Sequence, residues 1–533
     1  MHVIILLVIG DVDTMADSFY ELYCEEVRKN EILVKENTNL KIQVRYLTSR
    51  VRYLEENEDK IIERKVEAKV KAEVDKVTEA FEDKVISLEK TVDHLRSVLN
   101  NDSTNSGIPT SKTAISKAKH IPNSREKSGK AVGGQKNHPK HKLERFHDDE
   151  VTDYVDHKTD TCPVCHTPMV INGEGTIKDE YDFRIVVKKI RHRFYETVCP
   201  VCHHMERVSI PAHLKEENQY GYGVQNLALT LVNEGFVSMH RTKEIIIGLT
   251  GGEIDLSEGY ISKLQKRLSD NLVPFITDLK KHILNLNILH WDDTVIFINK
   301  KNACLRFYGN EELAFYTAHE QKNKEGVDED NILPLLRSDQ MVVHDHNKVN
   351  YNSDYEFQNV ECCVHLLRDL KKVVDNLDHE WPKNLIELLL RENHNRNIGN
   401  YVDAGYISLI YDQYVAEGYY ENLNDRNRYY GDTEETLLKR LEKYKENYLM
   451  WTLNEEIPFS NNVSERSLRS SKTKMKVSGQ FINLKNAEYY ANIRSYLETG
   501  HRHGVNSSEL IERALKGDPI LVEEMKEHDK SEE

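Results

Sequence analysis

An aliphatic residue recurs every seven positions at Leu33, Leu40, Leu47, Leu54 and Ile61, and no other feature restricts the fold of this chain so tightly. A seven-residue apolar repeat keeps one stripe of an α-helix turned toward a partner helix. With Asn37, Val44, Val51 and Glu58 in the alternate positions, the segment reads as a leucine zipper. A seam asparagine such as Asn37 favours a fixed register and two strands, at a cost in stability. The stripe runs on through Val70, Val74, Val77, Phe81, Val85, Leu88, Val92, Leu95 and Leu99, with a stutter around Phe81. Two arrangements satisfy it: a coiled coil over residues 17–100 that joins copies into a homodimer or higher oligomer, or an amphipathic helix folded back on its own domain.

A chain of 533 residues exceeds what one hydrophobic core organises, so several structural units are expected. Its formal net charge of -16 argues against a uniform affinity for nucleic acid. The basic residues are local instead: Lys112, Lys117, Lys119, Arg125, Lys127, Lys130, Lys136, Lys140, Lys142 and Arg145 stand against only Glu126 and Glu144. Residues 101–150, opening in an Asn-, Ser- and Thr-rich stretch, are expected to form a flexible basic linker, either simply solvated or tracking a phosphate backbone. The apolar run Val3 to Ile9 is too short to span a bilayer and lacks the basic start and cleavage site of an export signal. No membrane partner and a cytoplasmic, nucleoid-associated location are therefore expected, with Met15 an alternative initiator to Met1.

Two near-identical knuckles, Cys162-Pro163-Val164-Cys165 and Cys199-Pro200-Val201-Cys202, carry the strongest chemical signal. Four thiolates in two such pairs suit one tetrahedral Zn2+ with no open position, hence a structural ion in a small β-rich finger over 151–212. A redox role for the CxxC pairs is the alternative. Further on, Val224, Leu227, Ala228, Leu231 and Val232, then Ile245 to Leu249, then Gly251-Gly252 and a third helix opening at Ser257 suit a helix-turn-helix-like domain over 213–280. Its last helix offers Ser262, Lys263, Gln265, Lys266 and Arg267 to DNA, although three short helices also pack together without any nucleic acid. Ile288–Leu289, Val295–Ile298 and Gln340–His344 read as strands. Residues 366–455 read as helical and rich in tyrosine, among them Tyr401, Tyr406, Tyr411, Tyr414, Tyr419 and Tyr420, suited to packing or to stacking on bases.

Three acids stand in contexts that suit two-metal phosphoryl chemistry: Asp292 in His290-Trp291-Asp292-Asp293-Thr294, Asp345 after Val342-Val343-His344, and Glu465 in Asn461-Asn462-Val463-Ser464-Glu465-Arg466. Any one of them alone reads as a solvated surface group. Together, two acids on neighbouring strands and one on a later helix are how an RNase H-like sheet gathers carboxylates around ions about 3.5 to 4 Å apart. The expected fold is thus multidomain α+β. It comprises an N-terminal coiled coil, the linker, the zinc finger, the helical DNA-binding domain, an RNase H-like α/β catalytic domain over 281–505 with an all-helical insertion at about 366–455, and a C-terminal tail over 506–533.

The order of these parts, with Gly133-Gly134-Gln135 and His138 in the linker and Asn461 to Arg469 around the third acid, resembles the insertion-sequence-sixty-six family of DDE transposases over nearly the whole chain. The resemblance implies cleavage and strand transfer of insertion-sequence DNA ends, with Asp292, Asp345 and Glu465 as the catalytic acids holding two Mg2+ or Mn2+ ions. It implies terminal inverted repeats and target DNA as partners, and possible small accessory transposition proteins. Cys362, His365 and Arg368 resemble a Cys-x-x-His-x-x-Arg segment of that family, which organises the site or simply packs a helix start. Arg466, Arg469, Lys472, Lys474 and Lys476, beside Glu465, suit contacts to the DNA backbone. The chain departs from the family in reading Asp-Asp-Thr for Asp-Glu-Thr at the first acid, where Asp293 should alternate to the other strand face, and His-Asp-His-Asn for Asp-Gly-Tyr at the second. A different class of function is a non-enzymatic, zinc-containing DNA-binding protein derived from a transposase, and a third is a nuclease that hydrolyses without joining.

Overall fold

The computed structural model describes residues 12–55, 60–99, 145–173, 176–425 and 430–532. Met1, the run Val3–Ile9 and the basic linker from residue 101 through residue 144 lie outside them, while Met15 falls within the described residues. The heptad stripe is divided between two helices, α1 (Val12–Glu55) and α2 (Lys60–Leu99), which pack on each other, with Ile32 and Leu33 lining the same cleft as Ser87 and Leu88. Seam positions Leu33, Asn37 and Leu40 of α1 and Val70, Val74, Phe81, Val85, Leu88, Val92 and Leu95 of α2 are half-buried, while Val44 and Leu47 are exposed. Within one chain α1 and α2 cover the stripe only in part.

Two compact units are distinguished, one holding residues up to 124, 269–510 and 519–533, the other 125–268 and 511–518. In the second, the strands β1 (Glu196–Val198) and β2 (Met205–Arg207) pair antiparallel on either side of the Cys199–Cys202 knuckle. Helices α3 (Tyr222–Asn233), α4 (Met239–Leu249) and α5 (Glu258–Asn271) then stand where the apolar spacing predicts, around Ala228, Val232, Ile246, Leu256 and Ile261. The turn between α4 and α5 places Gly251 at φ 60° and Gly252 at φ 84°, the left-handed region that glycine enters without a side-chain clash. The Ser257 hydroxyl caps α5 by accepting the Tyr260 N–H, as a residue at that position should.

Beyond residue 269 the first unit continues with α6 (Val273–Ile283) and a mixed five-stranded sheet: β3 (Ile288–Ile298), β4 (Lys301–Gly309), β5 (Ala314–His319), β6 (Met341–His344) and β7 (Gln358–Glu361), with α7 (Lys324–Glu329) between β5 and β6. The spatial order is β5-β4-β3-β6-β7; β3, β4 and β5 run antiparallel, and β6 and β7 continue the sheet parallel to β3. Between β7 and the third acid lies a helical block of α8 (Cys363–Leu377), α9 (Glu380–Asn397), α10 (Ala404–Asn424), α11 (Gly431–Lys443) and α12 (Lys445–Leu449). Its core is built on Trp381, Leu388, Tyr411, Leu438 and Trp451, and shares Val343 and Val360 with the sheet. The block's two ends meet, the Cys363 N–H donating to the Phe459 carbonyl at 3.1 Å.

Helices α13 (Asn462–Ser478) and α14 (Leu484–Arg502) follow; Leu468, Ala487 and Ala491 cluster with Ile296, Leu305 and Phe307 of the sheet. Residues 506–533, expected as a tail, instead form α15 (Ser507–Leu515) and α16 (Val522–Glu532). Val522 and Met525 are fully buried, and α16 packs against α6, with the Val522 N–H donating to Asp278 at 3.2 Å. The structure is mixed α/β throughout this unit, and among the described residues no helix is long and apolar enough to cross a membrane.

Candidate active site

Parallel pairing of β3 with β6 sets His290 opposite Val343, so two residues further on Asp292 stands level with Asp345, just past the end of β6. Neighbouring strands lie about 4.8 Å apart, which brings two carboxylates together where one strand alone would separate them. Burial, with the charges of Asp345 and Asp293 beside it, pushes the Asp292 carboxyl up to about 7. Asp293 turns elsewhere: its nearly buried carboxylate pairs with Lys322 at 2.5 Å, and burial raises its pKa in spite of that lysine. The second member of the Asp-Asp pair thus has a cation of its own.

The loop after Asp345 is held on both sides. Trp291, fully buried, donates its indole N–H to Asn350 at 3.1 Å, while His346 and Tyr351 both bond Glu361 of β7, at 2.6 and 2.5 Å. Burial alone would raise the Glu361 pKa; the His346 and Tyr351 hydrogen bonds and the charge of His344 outweigh it and hold it below the usual range.

Glu465 lies in the first turn of α13, and Asn461, just before that helix, fixes its place. Asn461 is buried and makes three hydrogen bonds, two to β3 and one to Cys362 at the start of α8. Its side-chain carbonyl accepts from His290 Nδ1 at 2.9 Å, its amide donates to the Trp291 carbonyl at 2.8 Å, and its backbone N–H donates to Cys362 Sγ at 3.1 Å. Burial keeps His290 neutral, its pKa lowered to about 4, so its Nδ1 hydrogen serves as a fixed donor. The carboxylate of Glu465 faces His365 and Arg368 of α8, each at 3.6 Å from Oε1, an atom that is buried and accepts no hydrogen bond. Burial works against protonation of His365, but Cys362 and Glu465 outweigh it and lift its pKa to about 9.

The cations divide. On α5, Lys263 and Lys266 are exposed, whereas Gln265 is buried and donates to Asn233, and Arg267 turns inward to Gln225. Gln265 and Arg267 are thus spent on packing α5 against α3 and do not reach outward as expected. On α13, Arg469, Lys472 and Lys476 are exposed, Arg466 forms a two-pronged ion pair with Glu311, and burial lowers the Lys474 pKa.

The two cysteine knuckles have the same internal wiring. Cys162 N–H donates to Thr167 and His166 N–H to Cys162, as Cys199 N–H donates to His204 and His203 N–H to Cys199, and both His166 and His203 take positive φ. Hydrogen bonding lowers the thiol pKa of Cys165, to about 7, and that of Cys199. Among the described residues, however, no three His, Cys, Asp or Glu side chains converge closely enough to hold an ion, at the knuckles or at the acids.

The sequence named Asp292, Asp345, Glu465, His365 and Arg368, and the fold brings them into one neighbourhood. It did not single out Asn461, whose role shows only in three dimensions although it sits in a noted motif, nor Lys322, which stands in a loop with no periodicity or motif to mark it. In comparison with known proteins, the sequence profile of the transposase IS66 family matches residues 219–489, slightly more than half of the chain. That span runs from just before α3 into α14 and contains all three acids. No curated protein matches the chain.

Proposed function

The chain belongs to the transposase IS66 family, and from that premise we propose that it cuts the terminal inverted repeats of an insertion sequence and joins them to target DNA at Asp292, Asp345 and Glu465. The observation that carries this is the level placement of Asp292 and Asp345 on adjacent parallel strands, with Glu465 clamped to the same strand through Asn461. A sheet of three antiparallel strands extended by two parallel ones is the arrangement expected of an RNase H-like domain.

The donor set suits hard divalent cations, since it is made of carboxylate oxygens. The half-buried Asp292 carboxyl, its pKa raised to about 7, and a buried Glu465 oxygen that accepts no hydrogen bond are both groups that a cation would satisfy. Mg2+ or Mn2+, one ion held by Asp292 and Asp345 and one by Asp292 and Glu465, would supply an activated water or DNA 3'-hydroxyl and stabilise the leaving oxygen. The protein's own residues prepare that chemistry. Lys322 neutralises Asp293 and so leaves Asp292 as the acid of the pair open to the site. His365 and Arg368 hold Glu465 at the edge of the site, and Arg469, Lys472 and Lys476 offer phosphate contacts along the exposed side of α13. Lys263 and Lys266, on α5, are the proposed grip on the DNA ends, aided by the basic linker.

Each knuckle supplies one pair of ligands for a structural Zn2+ on Cys162, Cys165, Cys199 and Cys202; the four do not converge, so the metal would have to draw the pairs together. The hairpin's uncovered stripe is proposed to join copies of the chain, and small accessory transposition proteins belong with DNA among its partners. The test is direct: single Asp292→Asn, Asp345→Asn and Glu465→Gln variants should each lose cleavage and joining of insertion-sequence ends by about 10^3-fold or more, with end binding kept within a few-fold, because members of one site act jointly. Normal strand transfer by the Asp345 or Glu465 variant would refute the assignment.

A further inference from the structure

Lys322 stands in the loop between β5 and α7, and a buried arginine is committed to holding that loop. Arg306 of β4 is fully buried and pairs with Asp330 at 3.0 Å, while the Tyr308 hydroxyl donates to the same carboxylate at 2.8 Å. The Arg306 guanidinium also grips main chain on both sides of Lys322, donating to the Gln321 carbonyl at 2.9 Å and to the Gly326 carbonyl at 2.8 Å. It sits so close that a Cβ on Gly326 would strike it. The Gln321 N–H donates to His319 at 3.2 Å, and Asn323 caps α7 by accepting the Gly326 N–H at 3.1 Å. Burying a guanidinium is costly unless partners meet it, and here the partners fix the loop in place.

The loop presents Lys322 to the first acid motif. Its side chain is 58% exposed, but the ammonium lies 2.5 Å from Asp293, whose side chain is only 6% exposed. Asp293 and Arg306 are register partners on β3 and β4, so a loop bolted to Arg306 comes to lie against Asp293. Alternation along β3 turns Asp293 away from Asp292, yet facing alone does not insulate it: the charge of Asp345 acts on Asp293, and those of Asp345 and Asp292 both act on Lys322.

We propose that Lys322 is a positioning residue that decides which of two adjacent aspartates takes a divalent cation. Asp292 and Asp293 are the same chemical group one residue apart, so residue type cannot separate them. Their partners do. Asp293 holds an ammonium, a point charge that offers a metal nothing to bind. Asp292 accepts the N–H of Asp293 at 2.8 Å and keeps its place beside Asp345. Without Lys322 the two would compete, because a nearly buried carboxylate stripped of its counter-charge is itself a site for a hard cation. A cation drawn to Asp293 leaves the position between Asp292, Asp345 and Glu465. The inference rests on the reading of those three acids as the metal-holding set.

The test follows Mn2+ binding to the full chain by the electron paramagnetic resonance signal of the free ion, beside cleavage of insertion-sequence ends. Lys322→Met should bind Mn2+ about tenfold more tightly than the parent and cleave about tenfold more slowly. Adding Asp293→Asn should return both to within about threefold of the parent, because the competing carboxylate is gone. Lys322→Gln, which can still donate to Asp293 but carries no charge, takes the same readings if the methionine variant does not fold. Unchanged or weaker Mn2+ binding in the Lys322 variants overturns the proposal. So does a loss of cleavage that Asp293→Asn fails to restore, which would place Lys322 on the DNA or in the fold alone. Asp292→Asn separates this inference from the reading beneath it. If that variant still binds Mn2+ and cleaves, the acids are wrongly assigned and the inference falls with them; if it loses both while the Lys322 variants match the parent, only the selection falls.

Discussion

Asp292 combines two properties that oppose each other in a metal-free protein: it is half-buried, and it stands next to a second carboxylate. Its carboxyl is lifted to about 7 in the fold against an ordinary value of 3.8. A raised carboxyl contributes its full stability below the ordinary value, and that contribution is lost as pH rises through 7. The native state of the metal-free protein should therefore weaken between about pH 4 and pH 8, by an order of 2–4 kcal/mol from this residue. Asp292→Asn, which cannot ionise, should unfold at a higher temperature than the parent at pH 8, with the gap closing toward pH 4, and millimolar Mg2+ should narrow the gap at pH 8 by satisfying the parent's carboxylate. Calorimetry across that pH range checks it; a pH-independent gap would show that Asp292 is not the strained group. At this scale the sequence made the acids legible because their chemistry demands a residue type in a strand or helix context. Asn461 and Lys322 escaped because an amide that joins β3, Cys362 and α13, or a lysine in a loop, has no local signature.

Elements were legible where periodicity reports burial. The helices α3, α4 and α5 and the strands carrying the first two acids follow apolar spacing that the chain displays openly. Residues 506–533 were misread because charge dominates them, and the few apolar side chains that bury α16, Val522 and Met525, are too sparse to form a pattern. Arg267 and Gln265 were misread for the opposite reason: polar residues on a helix look outward-facing until a neighbouring helix offers Gln225 and Asn233 as partners. The knuckles are elements too, each a turn with its own hydrogen bonds. Purified protein is expected to contain about one zinc per chain. Removing it with a strong chelator, or making Cys162→Ser or Cys199→Ser, should expose residues 151–212 to proteolysis while leaving the melting of the sheet domain unchanged. Metal-free protein with the same protease pattern as the parent would count against a zinc finger.

For the whole molecule, the heptads told of long helices but not that α1 and α2 pack on each other, since a seam reads the same whether its partner is another chain or a second helix of its own. The part-covered stripe, with Leu47 45% exposed, leaves room for association between hairpins. Leu47→Glu should shift the full chain toward monomer in sedimentation equilibrium, weakening association by about tenfold or more, since a charge cannot be buried in such a seam without a partner; an unchanged distribution would place the main dimer contact elsewhere.

The helical block between β7 and α13 leaves the sheet domain and returns to it at one point, where Cys363 meets Phe459. A segment with touching ends is the kind that genomes acquire, exchange and discard at little cost to the host fold. Here, though, Val343 and Val360 of the sheet have their apolar neighbours in that block, and Cys362 at its threshold accepts the Asn461 hydrogen bond that steadies the third acid. Losing the block would strip the sheet of its cover and loosen the hold on Glu465 in one step.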